Sequence, residues 1–256
     1  MGPTAPADPT TPPIPHVSAV LFDLDRTLID LERATRLGIN ARLAELGLPA
    51  GPEAYAEWKR LEVLHVQRYL DGHATMYGQR RDRVREMTGV PYTDTEADAW
   101  FTAYRLRMEA ELLLFEDTLT ALDYIETVLG VPTGIVTNME TDYQLSKMSA
   151  VGLPVGRFAC ILGTDRLPAP KPHQDAFAHA CTALGLKPGP AVVFVGDEPH
   201  TDALGAHRAG LRGVWLDRPG ALPSADPPPP AGVERIASLA ELPGLLARSA
   251  PDRPAT

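Results

Sequence analysis

The chain has 256 residues, 44% of them hydrophobic, which is enough for one substantial core or a core plus a small second domain. Its 33 acidic side chains outnumber 24 basic ones for a net charge of −9. With no basic surplus to offset phosphate repulsion, the composition argues against binding to a nucleic-acid polymer or a membrane surface as a general activity, but not against a small anionic substrate held by a local field.

Residues 1–16 carry six of the 26 prolines and no apolar signal-peptide core; they are expected to be a disordered head, and the protein to be cytoplasmic. No apolar run approaches membrane-spanning length. Residues 17–22 read as a buried strand. Residues 30–116 hold no strand-like run but show helical patterns at 32–46, 52–70, 74–87 and 96–114, broken at 47–51, 71–72 and 89–91 by Gly, Pro and Asp. Beyond them, strand-like runs at 133–137, 158–162, 191–195 and 213–216 alternate with helical patterns at 141–150, 173–184 and 201–209. Strands alternating with helices make an α/β fold, a doubly wound parallel sheet, here over 17–29 and 117–247 with an all-helical insertion over 30–116. Residues 227–230 are read as a polyproline connector, 239–247 as a last docked helix and 248–256 as a flexible tail. Cys160, placed at the end of a strand, and Cys181, in a helix, lack metal-ligand spacing and read as buried thiols of a reducing compartment.

The chemistry-bearing residues gather at the ends of these strands. Asp23 and Asp25 follow the first strand two residues apart, on one face if the chain stays extended. Two carboxylates that close repel, and a divalent cation would reconcile them; a solvated turn or calcium loop carries the same pattern. Thr137-Asn138 ends the second strand, a hydroxyl followed by N–H groups at a helix start, suited either to an anionic oxygen or to ordinary N-capping. Lys171 stands between Pro170 and Pro172 just before a helix, as a stiffly held ammonium or as solvated surface. Gly196-Asp197 ends the strand at 191–195, with Asp202 five residues on; an isolated Gly-Asp is also an ordinary turn.

In this order and context the four segments resemble the haloacid-dehalogenase-like (HAD) hydrolases, most of which are phosphatases. Asp23-Leu24-Asp25-Arg26-Thr27 looks like the opening motif, Thr137-Asn138 the second, Lys171-Pro172 the third and Gly196-Asp197 with Asp202 the fourth; Gln174 stands where many relatives have a second proline. The likeness covers residues 17–217 outside the insertion, which would be a cap closing over the active site. It implies a Rossmann-like core and Mg²⁺-dependent phosphoryl transfer through an aspartyl-phosphate. Asp23 would be the nucleophile, Asp25 the general acid and base, and Thr27 would fix the turn holding Asp25. Thr137, Asn138 and Lys171 would cradle the phosphoryl group. Mg²⁺ would lie on Asp23, the Asp25 carbonyl and Asp197, with Asp202 supporting it or orienting Lys171. The family's dehalogenases lack a carboxylate at position 25, so the resemblance implies a phosphatase.

Substrate choice is expected in the insertion, where residues 79–85 form the most basic cluster. On a helix Arg81 and Arg85 share a face, as do Arg80 and Arg83, to bind a second anionic group or to sit in solvent paired with Asp82 and Glu86. Arg26 is a further specificity candidate, expected to point to solvent rather than to the pocket mouth. The histidines show no metal-ligand spacing; His200, inside the fourth motif, is the one placed to approach the site. The expected partner is a small phosphorylated metabolite. A phosphomutase and a non-catalytic HAD-like binding protein are the alternatives, and oligomeric state is left open.

Overall fold

The computed structural model describes residues 17–219 and 228–247. The proline-rich head, the start of the expected connector and the tail therefore lie outside the described residues; 228–230 are neither helix nor strand. Two compact units divide the chain, Ile29–Leu113 and the stretches that flank it.

The flanking unit is a six-stranded parallel sheet of β1 (Ala19–Phe22), β2 (Thr133–Val136), β3 (Cys160–Leu162), β4 (Val192–Gly196), β5 (Arg212–Leu216) and β6 (Glu234–Ile236), in the order β3-β2-β1-β4-β5-β6. β1 is central and wholly buried, Val20 lying between Thr133 and Val193. Such continuous apolar runs are what a strand covered on both faces requires. The chain builds outward from β1 to β3 and then returns to β4 on the other side of β1, the kind of reversal at whose carboxyl-terminal edge open α/β sheets bind ligands. The connecting helices are α5 (Thr118–Tyr124), α6 (Thr141–Ala150), α7 (Gln174–Ala183), α8 (Gly205–Arg208) and α9 (Leu242–Leu246). α7 buries Ala176, Phe177, Ala180 and Cys181 in a cluster with Ala19, Leu21 and Phe194, and Phe177 meets Phe194 edge-on at 5.1 Å. Both cysteines are free; burial pushes each thiol up to about 11. Cys160 opens β3 rather than ending a strand.

Two elements escape the sequence pattern. β6 has three residues, two of them charged, and is held by Arg212 on β5. This buried guanidinium donates to both Glu234 oxygens, at 2.6 and 2.9 Å, and to the Leu245 carbonyl at 2.9 Å. α5 has seven residues and runs on through a wide-turn segment, Ile125–Leu129, to Gly130. The expected last helix is instead a 3₁₀ turn, Leu239–Glu241, followed by α9 with Pro243 in its first turn, where the missing N–H costs nothing.

The inserted unit consists of α1 (Leu31–Glu45), α2 (Pro52–Leu70), α3 (Met76–Thr88) and α4 (Asp94–Glu109). A Cβ at Gly38 would come within 2.6 Å of the Met108 backbone, so glycine there lets α1 and α4 approach closely. Trp58, Trp100, Phe101 and Tyr104 pack as one aromatic cluster, with the Arg83 guanidinium 4.1 Å above Trp58. α4 stops at Glu109, short of the expected 114. The remaining residues run to Leu113, whose carbonyl accepts from Asp30 N at 2.9 Å. One step outside, in the sheet unit, the Leu28 carbonyl accepts from Phe115 N at 3.1 Å and from Thr118 Oγ1 at 2.9 Å. Each unit thus joins its own two chain crossings. No helix among the described residues is long and apolar enough to cross a membrane.

Candidate active site

Asp23 is the first residue past β1, and its N–H donates to Val195 O at 2.9 Å, prolonging the β1–β4 ladder by one rung. Lys171 arrives from the loop between β3 and α7. Its main chain is fixed by the Asn138 amide, which donates to Lys171 O and accepts from Lys171 N, both at 2.8 Å. Its ammonium passes the face of Phe194 and stops 2.7 Å from Asp23 Oδ1 and 2.7 Å from Asp202 Oδ1. Asp202 sits in the wide turn after β4, where its other oxygen accepts from Glu198 N at 3.1 Å. Gly196 makes room for it, since a Cβ there would lie 2.5 Å from that of Asp202. Asp197 is held through its carbonyl by Trp215 Nε1 at 2.9 Å.

The electrostatics follow from dryness. Burial pushes the Asp23 carboxyl up to about 6, against the pull of Lys171 and with the push of Asp202. Burial lifts Asp197 well above the carboxylate range, opposed by Arg26 and helped by Asp23 and Asp202. Burial also works against the Lys171 ammonium, but Asp202 and Asp23 hold it above the usual lysine range. Asp23, Asp197 and Asp202 each offer a carboxylate oxygen within 4.8 Å of the others. Three hard oxygen donors, two of them charged at a cost, fit a hard divalent cation such as Mg²⁺.

Several residues differ from their sequence expectation. Asp23 and Asp25 do not share a strand face, because β1 ends at Phe22 and the chain turns; among the causes raising the Asp23 carboxyl, Asp25 is the smallest. Each aspartate has its own lysine, Lys171 on Asp23 and Lys147 on Asp25, the latter 2.5 Å from both oxygens. Arg26 does not point to solvent. It adopts a left-handed backbone, φ 64°, and its guanidinium pairs with Asp197 at 2.8 Å and with Glu198. The Asn138 side chain is spent on the Lys171 main chain. Thr27, wholly buried, lies 3.4 Å from Asp23 Oδ2. Thr137 Oγ1 accepts from Gln144 Nε2 at 2.7 Å. His200 is exposed.

Within the helical unit, Arg81 donates to Asp98 at 2.8 and 2.6 Å and to Asp94 at 2.6 Å. Arg85 reaches Asp94 at 2.6 Å and Tyr92 O at 2.8 Å, and only loosely Asp82, at 3.5 Å. Arg80 lies over the Tyr77 and Phe101 rings. The partners of Arg81 and Arg85 are thus mainly acids of α4, and Glu86 lies 3.2 Å from Nε2 of the buried His65 instead. Sequence reasoning missed Gln144, Lys147 and Trp215. For the first two the available signal was a polar pair three residues apart on the helix that follows Thr137.

Compared with known proteins, residues 17–210 match the family model described as haloacid dehalogenase-like hydrolase. The chain belongs to that family. Among curated relatives of this HAD-like hydrolase, the N-acylneuraminate-9-phosphatase of Rattus norvegicus is 27% identical over 90% of the chain and 94% of its own length. The ribulose-1,5-bisphosphate 5-phosphatase of Halopiger xanaduensis is 30% identical over 78% of the chain and 84% of its own. The HAD-hydrolase YfnB from Bacillus subtilis, solved bound to magnesium, shares the fold with a TM-score of 0.73 at 19% identity, over 90% of this chain and 99% of that one. Within its family the enzyme is a phosphatase, a phosphoric monoester hydrolase.

Proposed function

We propose that this phosphatase hydrolyses the phosphate monoester of a small sugar or sugar acid, in the cytoplasm, using Mg²⁺ and an aspartyl-phosphate on Asp23. The observation that carries the reading is the buried Lys171 ammonium between Asp23 and Asp202, 2.7 Å from each, beside a third carboxylate, Asp197. The relatives' sugar-phosphate substrates support the substrate class.

Asp23 attacks phosphorus: its Oδ–P bond forms while the P–O bond to the sugar breaks, and Asp25 gives a proton to the departing oxygen. Water then attacks the phosphoryl group, Asp25 recovers a proton from it, and the Asp23–phosphorus bond breaks. Carboxylate nucleophiles split one difficult step into two easier ones in this way. Lys171 neutralises Asp23 and the incoming phosphoryl oxygens, and Thr137 offers its hydroxyl at the neighbouring strand end. Bound at Asp23, Asp197 and the Asp25 carbonyl, Mg²⁺ would supply charge neutralisation for nucleophile and phosphoryl group. The carboxylate at position 25 separates this chain from dehalogenases, whose halide leaving group needs no proton.

Phosphate release from a panel of sugar phosphates, sugar-acid phosphates and nucleoside monophosphates tests this. Release is expected with Mg²⁺, to vanish with chelator, and to vanish in Asp23→Asn; release that survives in Asp23→Asn would refute the covalent reading.

A further inference from the structure

A second lysine enters the strand-end cluster from α6. The Lys147 side chain is 3% exposed, and its Nζ lies 2.5 Å from both oxygens of Asp25. Gln144, one turn earlier on the same helix face, donates from Nε2 to Asp25 Oδ2 at 3.0 Å and to Thr137 Oγ1 at 2.7 Å. The start of this helix is itself anchored. Asp165 accepts from Thr141 N at 2.7 Å and from Thr141 Oγ1 at 2.8 Å, and Thr141 Oγ1 accepts from Gly163 N at 3.0 Å. Gly163 admits the close approach, since a Cβ there would meet Thr141 N at 2.5 Å.

We propose that Lys147 is the positioning residue for Asp25, and that Gln144 ties that carboxyl to Thr137. The inference rests on the phosphatase reading, in which Asp25 moves the protons. Asp25 lies just past the end of β1, its side chain 16% exposed and not set by a strand face, so its direction depends on what holds it. A two-oxygen clamp by an ammonium plus a third bond from an amide sets that direction. Proton transfer needs a heavy-atom approach of about 2.6–3.2 Å, and misplacement by 1 Å costs about 10²-fold. A residue that only held the fold together would not discriminate among leaving groups, whereas one that aims an acid must.

The test is kcat/KM, which covers steps only through phosphoryl transfer to Asp23, on two substrates. A sugar phosphate expels an alkoxide that needs a proton; p-nitrophenyl phosphate expels a phenolate that does not. In Lys147→Met the sugar-phosphate constant is expected to fall about 10²-fold and the aryl constant by less than about 5-fold. Lys147→Arg, which keeps the cation, should recover much of the loss. Gln144→Leu should show the same selectivity on a smaller scale, and with Lys147→Arg it carries the test if Lys147→Met does not fold. An equal fall on both substrates, or no fall on the sugar phosphate, overturns the proposal. Wild-type protein with Mg²⁺ inactive on both substrates would overturn the phosphatase reading itself, and this inference with it.

Discussion

Replacing Lys171 with methionine leaves two buried carboxylates facing an uncharged thioether. The lysine side chain is 2% exposed, and those of Asp23 and Asp202 are 10% and 2% exposed, each carboxylate 2.7 Å from the ammonium. Removing one partner of so dry a pair costs about 3–5 kcal/mol, because the charge left behind is uncompensated. Against a typical domain stability of about 5–15 kcal/mol, that is a large share. Urea unfolding at pH 8 with chelator present should show the loss. Asp202→Asn placed in the same background should restore part of it, so the two substitutions are not additive. The sign of the pH dependence follows from burial, which holds the Asp23 carboxyl up to about 6 even with the lysine in place. Without the lysine, that value rises further. A carboxyl whose folded pKa exceeds its unfolded one binds more protons in the folded state between the two values, so stability falls as pH rises through that window. Lys171→Met should therefore be less damaging at pH 5 than at pH 8. A loss below about 1 kcal/mol at pH 8, the range of a solvated pair, or one indifferent to pH, would refute the argument that the cluster is dry.

Gly196→Ala should cost about 1–3 kcal/mol and most of the activity, because the new methyl occupies the place of the Asp202 carboxylate; an unchanged melting temperature would contradict it. Asp117→Asn should cost about 1.5–3 kcal/mol at pH 7, since Arg218 grips both Asp117 oxygens at 2.9 Å while Ser238 and Leu239 N donate to one of them. Burial works against this carboxyl, but Arg218 and Ser238 hold it below the usual range. Its contribution is present above the unfolded value of about 3.9 and lost as pH falls further, so wild type and variant should converge in acid, read by denaturant titration at several pH values. Mg²⁺ at a hundred times its dissociation constant should stabilise the wild type by about 2.7 kcal/mol. Asp197→Asn should abolish most of that shift in thermal melts, and an undiminished shift would remove Asp197 from the metal site.

The parallel sheet was legible because β1 and β4 are continuous apolar runs and β2 and β5 close on apolar ones, Ile135-Val136 and Val214-Trp215-Leu216, before a polar strand-end residue. α2 was legible to the residue, since Gly51-Pro52 starts it and Asp71-Gly72 ends it. β6 was not, because three residues, two of them charged, carry no strand pattern and find their place only by pairing with β5, and α5 was too short to show a period. At the strand ends the sequence offered Asp23, Lys171, Asp197 and Asp202 by order and spacing, and the structure brings these four together. It offered neither Lys147 nor the turn at Arg26. A lysine's partner is set by tertiary approach, and φ 64° is a backbone state that arginine's own preference does not announce. The partners of Arg81 and Arg85 were also out of reach, since Asp94 and Asp98 lie more than ten residues from Arg81 and meet it only through helix packing.

The clasps at Leu28–Phe115 and Asp30–Leu113 have a consequence for how such a chain changes over generations. Because the sheet unit closes its own gap at Leu28, what lies between the clasps is, for its stability, a loop whose ends are already joined. Loop-closure entropy grows only with the logarithm of length, about 0.6 kcal/mol for each doubling. An insertion could thus lengthen, shorten or be exchanged outright while β1 and its strand-end residues stay where they are. The sheet half can be inherited intact while the inserted half drifts, so that variation comes by replacement of a module rather than by repair of a core.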